Sequence, residues 1–192
     1  MTESVVKNIC YFKQKGSINT DKTLEIALAG CEAHAVSKVV VASSTGETAL
    51  KLQAMANPSL EIIAVTYGAG IKHTEKIETF NRNAATLVDK GIRIVRGIHA
   101  FSGVERGLEN KYKSGLTPLN ILADTLRMFC PGMKVCVEIS TMAAEHGFIN
   151  PDDRLVSVAG SANGADTAVL IKPAYAASIF ETRIEAILCM PI

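Results

Sequence analysis

The chain has 192 residues, 48% of them hydrophobic and 20% charged, with a formal net charge of +1. That length supports a single domain whose core needs no disulfide staple, and the balanced charge leaves no electrostatic footprint for nucleic acid. No apolar stretch reaches the roughly 18 residues of a membrane span, and Met1 is followed by Thr2, Glu3 and Ser4 rather than by a leader, so a cytoplasmic protein with no membrane partner is expected.

In chain order, residues 1–19 hold one short mixed run, NICYFKQKG, after which Asn19 or Thr20 offers an N-cap. Leu24, Leu28, Cys31 and Ala35 then recur at the helical period. KVVVAS reads as a short buried strand, GETALKLQAMAN as a helix with Ala49, Leu52 and Ala56 on one side, and LEIIAVT as a second strand. The spacing predicts a helix over 74–89, with Ile77, Phe80, Ala84 and Leu87 on one face; Gly91 stops it and IRIVRG follows as a strand.

GIHAFSGVERGLENKYKSGLTP reads as a loop into a helix near 117–130, which Pro131-Gly132 ends. MKVCVEISTMAAEHG satisfies two periods at once. Val135, Val137 and Ile139 alternate as in a strand, whereas Val135, Ile139, Met142 and His146 share a helical face; propensity alone favours strand in the first half. RLVSVAGS and DTAVLIKP read as strands flanking a glycine turn, and RIEAILCMP as a final strand that either extends the sheet or packs on a second copy in a homodimer. The five cysteines are scattered, odd in number and without a CxxC pair, which reads as reduced core thiols.

Strands alternating with helices predict a three-layer αβα fold over residues 1–192, with a mostly parallel sheet and an antiparallel strand or hairpin near the C-terminus. Ligands of such sheets sit at the C-terminal strand ends, where helix N-termini leave backbone N–H groups unpaired.

At the first strand end, SSTGET places hydroxyls at Ser43, Ser44, Thr45 and Thr48 around Gly46, either as a phosphate cradle or as a helix cap through Ser44 or Thr45. It carries no lysine, so it is not the GxxxxGK[ST] loop, and the chain has no GxGxxG. The second strand end brings Thr66, Tyr67, Gly68 and Gly70, which form either a plain loop or a close approach to a ligand, and the third brings His99, Phe101, Ser102 and Arg106. His99 is either an acid–base group or a hydrogen-bonded loop residue. In SANGADTAV, residues Gly160, Ser161, Asn163, Gly164 and Ala165 form a permissive turn, and Asp166 can accept from ribityl or sugar hydroxyls; a plain Asn-Gly hairpin uses the same residues. His34, His73, His99 and His146 have no metal-ligand spacing, and no Ser–His–Asp order or reactive cysteine signature is present.

ASSTGETALKL followed by IIAVT resembles the C-terminal α/β domain of pyruvate kinase, in which a TGxxA loop receives a phosphate of a sugar bisphosphate effector. AAEHGFINPDDRLVSVAGS is similar to that domain's GF…GD…VIVLTG run, before which the chain is helical, so the resemblance moves residues 135–146 from strand to helix. It covers residues 20–172, leaving 173–192 as a terminal extension, and 192 residues have no room for the separate barrel that carries pyruvate kinase chemistry.

SSTGxTA, FSGVxR and GADTA further resemble a group of free-standing archaeal and bacterial proteins with a pyruvate-kinase-like α/β domain. That resemblance implies flavin mononucleotide (FMN) at the strand ends. Ser43, Ser44, Thr45, Gly46 and Thr48 would surround its phosphate, and Gly160, Asn163, Gly164, Ala165, Asp166 and Thr167 would lie against the phosphate or ribityl chain. Thr66, Gly68, His99 and Phe101 would border the ring. Two functions follow as expectations: an FMN-binding protein, with FMN-dependent oxidoreductase chemistry as its enzymatic form, or a non-catalytic sensor of a small phosphorylated metabolite. The second needs another cationic site, for which Lys72, Arg96 and Arg106 are the nearby candidates.

Overall fold

The computed structural model of the chain describes residues 4–70, 73–113 and 115–192. Val39, Val40 and Val41 are fully buried at the centre of its sheet, in β2 (Lys38–Ala42), because helices cover both faces there. β3 (Glu61–Tyr67) and β4 (Arg93–Gly97) follow in parallel toward one edge, and β5 (Leu155–Ala159) runs parallel on the other side of β2. β6 (Thr167–Lys172) is antiparallel to both β5 and β7 (Arg183–Pro191), and β1 (Cys10–Phe12) closes the far edge parallel to β7. The order is β1-β7-β6-β5-β2-β3-β4. RIEAILCMP therefore extends the sheet, as an inner strand whose insertion gives β1 its partner.

α1 (Thr20–Ala33), α2 (Glu47–Met55) and α3 (Thr74–Asp89) pack side by side on one face. The winding from β2 to β4 runs one way, so the return to β5 crosses the other face, carried by α6 (Pro131–Glu145) with α5 (Pro118–Arg127) packed on it. Strand order thus reverses at β2, which places a crevice beyond its C-terminal end.

Several local expectations change. The segment read as a loop contains α4 (Val104–Tyr112), whose Val104, Leu108 and Tyr112 keep helical spacing on an exposed face. Pro131-Gly132 opens α6 instead of ending α5: Pro131 sits in the first turn, where a missing N–H costs nothing, and Cys130 caps it by accepting from Met133 N at 3.3 Å. The strand favoured by propensity over 135–139 is helix, in line with the resemblance. α6 is buried at twelve of its 15 residues, so apolar side chains occur all round it and a single-faced helical period is lost. Neither Asn19 nor Thr20 caps α1 through its side chain, and Ala35 lies beyond the end of the helix, exposed at φ 50°.

Among the described residues no helix is long and apolar enough to cross a membrane. All five cysteines are free, and burial pushes the Cys31 and Cys189 thiols up to about 12, so they remain protonated and unreactive at neutral pH.

Candidate functional site

A cleft of about 680 Å³ opens at the C-terminal ends of β2, β3 and β5, the crevice set by the strand reversal. Its volume falls within the roughly 300–1,000 Å³ of sites that enclose a small molecule or cofactor.

One wall is the β2–α2 loop. Gly46 at φ +91° turns the chain into α2, and a side chain there would press on Asn83 Cβ at 3.1 Å and Leu87 Cδ1 at 3.2 Å. Neither Ser44 nor Thr45 is the N-cap; Gly46 is, without a side-chain bond. Ser43 Oγ accepts from Ala49 N at 3.3 Å and Thr45 Oγ1 weakly from Glu47 N at 3.5 Å. The amides of Ser44, Thr45, Gly46 and Thr48 donate to no protein acceptor among the described residues, and the Thr48 side chain lines the cleft. Unpaired amides at a helix N-terminus, ringed by hydroxyls, suit an anion. Glu47 also lines this wall and opposes an anion, while Lys51 and Lys76 stand at the rim.

The facing wall is the β5–β6 hairpin tip, from which Gly160, Asn163 and Gly164 reach the cleft. Asn163 Oδ1 accepts from Lys76 Nζ at 3.0 Å, tying the tip to α3. Asp166 does not face the ligand space. Its carboxylate is fully buried and accepts from Gly16 N (2.8 Å), Ser161 N (3.2 Å) and Thr167 Oγ1 (2.9 Å), so it pins the tip from behind instead of meeting sugar hydroxyls.

The remaining wall is α6. Val135, Ile139 and Met142 share one helical stripe and line the cleft, giving it an apolar side. On the adjoining stripe Lys134 and Glu138 are 6% and 2% exposed, and Lys134 Nζ donates to Glu138 Oε2 at 2.6 Å. Glu138 Oε1 accepts from Phe101 N at 3.0 Å, and His99 Nδ1 lies 3.7 Å from Oε2. The His99 ring stacks on Tyr67, with centroids 5.6 Å apart and planes at 15°.

Burial holds the Lys134 ammonium below its usual range, opposed by the charge and hydrogen bond of Glu138. Burial also holds His99 below its usual range; Glu138 pulls it back up, while Lys134 and Arg106 push further down. His99 is accordingly neutral at pH 7, and the stability it contributes is present above pH 6.5 and lost as the pH falls below it. Glu138→Gln removes the only one of these charges that raises the His99 midpoint, so the midpoint should fall further; imidazole NMR titration checks this, and an upward shift contradicts it.

A family model described as the pyruvate kinase alpha/beta domain matches residues 21–171. The chain belongs to this family. Among solved structures it is similar to a pyruvate kinase from Cryptosporidium parvum, at 15% identity and a TM-score of 0.40, over 82% of this chain and 24% of that one. It is also similar to the NH3-dependent NAD synthetase of Campylobacter jejuni subsp. jejuni, at 13% identity and a TM-score of 0.36, over 71% of this chain and 53% of that one. The chain thus spans about a quarter of the length of the pyruvate kinase it matches.

In this pyruvate kinase alpha/beta domain, Ser43, Ser44, Thr45, Thr48, Thr66, His99, Gly160, Asn163 and Gly164 converge on the cleft as lining residues. Gly46, Gly68, Phe101, Ala165, Asp166 and Thr167 do not line it. Phe101 is buried and contributes its amide to Glu138; Ala165 and Thr167 are buried at the base of the hairpin; Gly68 is held against the Gly97 carbonyl. Of the expected cations, Arg96 bonds Asn81 and Arg106 is not in the lining, and Lys72 lies outside the described residues. Lys134 and Glu138 were missed. The available signal was two opposite charges four residues apart inside an otherwise apolar run, which a strand reading would have put on opposite faces from their neighbours but a helix reading pairs.

Proposed function

We propose that the cleft binds a small phosphorylated ligand at the strand ends, with FMN as that ligand. The carrying observation is the convergence of the amide- and hydroxyl-rich β2–α2 loop with the hairpin tip on one cleft of about 680 Å³. The phosphate belongs on the Ser44–Thr48 side, and the apolar stripe of Val135, Ile139 and Met142 suits a planar ring. When bound, FMN supplies electron-transfer chemistry, and the chain supplies binding, orientation and exclusion of water.

Adding FMN to the purified protein should change flavin fluorescence and raise the melting temperature, since a hundredfold excess over Kd stabilises by about 2.7 kcal/mol. Absence of both effects overturns the reading. Thr48→Val keeps shape and removes one hydroxyl that bonds no protein group among the described residues, so it should weaken FMN about tenfold, the loss expected for one hydrogen bond to a charged group. The same titration measures it.

A second reading, a non-catalytic sensor of a sugar phosphate, draws support from Lys51, Lys76 and Lys134 in the lining, which provide cations beyond the phosphate loop. A competition melt separates the two: preference for a sugar bisphosphate over FMN favours the sensor.

A further inference from the structure

A lysine and a glutamate buried together are expensive to desolvate, and an apolar pair of the same volume is often as stable or more so. Lys134 and Glu138 sit on the central helix of this fold, 6% and 2% exposed, within a helix buried at twelve of its 15 residues. The glutamate is held on both oxygens, by Phe101 N at 3.0 Å and by Lys134 Nζ at 2.6 Å. The ammonium is not saturated: it has three donors, and Glu138 is its one protein acceptor among the described residues. Lys134, Glu138, His99 and Tyr67 all line the same cleft as the phosphate loop. An arrangement that only cemented α6 to its neighbours would have no reason to open onto that space.

We propose that Lys134, oriented by Glu138 and flanked by His99, is an anion-stabilising site for the end of the ligand remote from its phosphate. This rests on the FMN reading above and adds what the protein does to the ring: it favours the electron-rich form over the oxidised one. The placement follows from α6 itself. Val135, Ile139 and Met142 form the apolar stripe against which a ring would lie, and Lys134 and Glu138 form the stripe one residue over, toward His99. Glu138 offsets one positive charge, but Arg106 and Arg127 also act on Lys134, so the local balance is positive; such a site interacts weakly with a neutral ring and strongly with one carrying added negative charge. Glu138 is a positioning residue here, and the neutral His99 ring adds no positive charge of its own at pH 7.

The test compares affinities for oxidised FMN and for FMN reduced with dithionite under anaerobic conditions, in the wild type and in Lys134→Gln. The substitution removes the ammonium and keeps Glu138, so the local charge falls by one, and the glutamine amide retains a donor for Glu138. The expected result is that the preference for reduced over oxidised FMN drops about tenfold in the variant, equivalent to a bound potential lower by about 30 mV for a two-electron couple. An unchanged preference, with both affinities moving together or not at all, overturns the proposal. Thermal unfolding of the apo-variant checks that it is folded; should it not be, Glu138→Gln with Lys134 retained is read in its place, for which the preference for reduced FMN should rise about tenfold and an unchanged preference overturns the proposal. Failure of the wild type to bind oxidised FMN overturns the FMN reading together with this inference, and it is recognised first because that titration precedes any reduction.

Discussion

Glu138→Leu should destabilise the protein by about 3–5 kcal/mol, the cost of breaking a buried ion pair from one side. The substitution leaves Lys134 Nζ without its acceptor at 2.6 Å and Phe101 N without its acceptor at 3.0 Å, both in buried surroundings. Lys134 already lies below its usual range because of burial, and Glu138 is what holds it up, so the variant lysine sheds its proton at a lower pH still. Lys134→Met/Glu138→Leu should recover the part of the loss that comes from the unpaired ammonium, because it removes both charges and refills the space with apolar atoms, while Phe101 N stays without its acceptor in both variants. Urea unfolding of the two variants decides the matter: equal destabilisation would show that leaving the Lys134 ammonium unpaired costs nothing. Recovery of stability without recovery of ligand discrimination is the pattern expected of residues retained for the site.

Gly164→Ala should cost about 2–4 kcal/mol and disturb the cleft at the same time. Gly164 has φ +69°, a conformation that costs a residue with a Cβ about 1–2 kcal/mol. A Cβ there would also overlap Thr20 Oγ1 and stand 2.9 Å from Ser17 Cα, which is backbone and yields only if the 3-10 turn Ser17–Asn19 before α1 moves. Thr20 Oγ1 in turn accepts from Ala165 N at 3.0 Å, so displacing it releases the hairpin tip. Gly107→Ala is the control: it lies within α4 with nothing within 4 Å of a new Cβ, and should gain up to about 1 kcal/mol from helix propensity. Equal midpoints for wild type and Gly164→Ala in urea would refute the account of the tip.

The contrast between these glycines shows how the site was and was not legible. SSTGET at the end of a β-branched strand advertises itself, because hydroxyls, a glycine and an abrupt change of period are all local features. Asp166 shows the opposite: a carboxylate beside an Asn-Gly turn suggests a ligand contact, yet Gly16, 150 residues away, claims it. Lys134 and Glu138 were hidden for a related reason. On an amphipathic helix two charges would mark the solvent face, but α6 is enclosed by the sheet, α5 and the 3-10 turn at Ala176–Glu181, so the same charges lie inside.

By itself the sequence determined most of the alternation of strands and helices, the hairpin near the C-terminus and the hydroxyl- and glycine-rich loop after β2, since each depends on neighbours within a few residues. Only the tertiary structure decided that β7 inserts between β6 and β1, that Pro131 begins a helix, and that Lys134, Glu138, His99 and Tyr67 meet in one cleft. Those outcomes depend on which surfaces are covered and by what. Burial and charge pairing are properties of the assembled layers, and no local period encodes them.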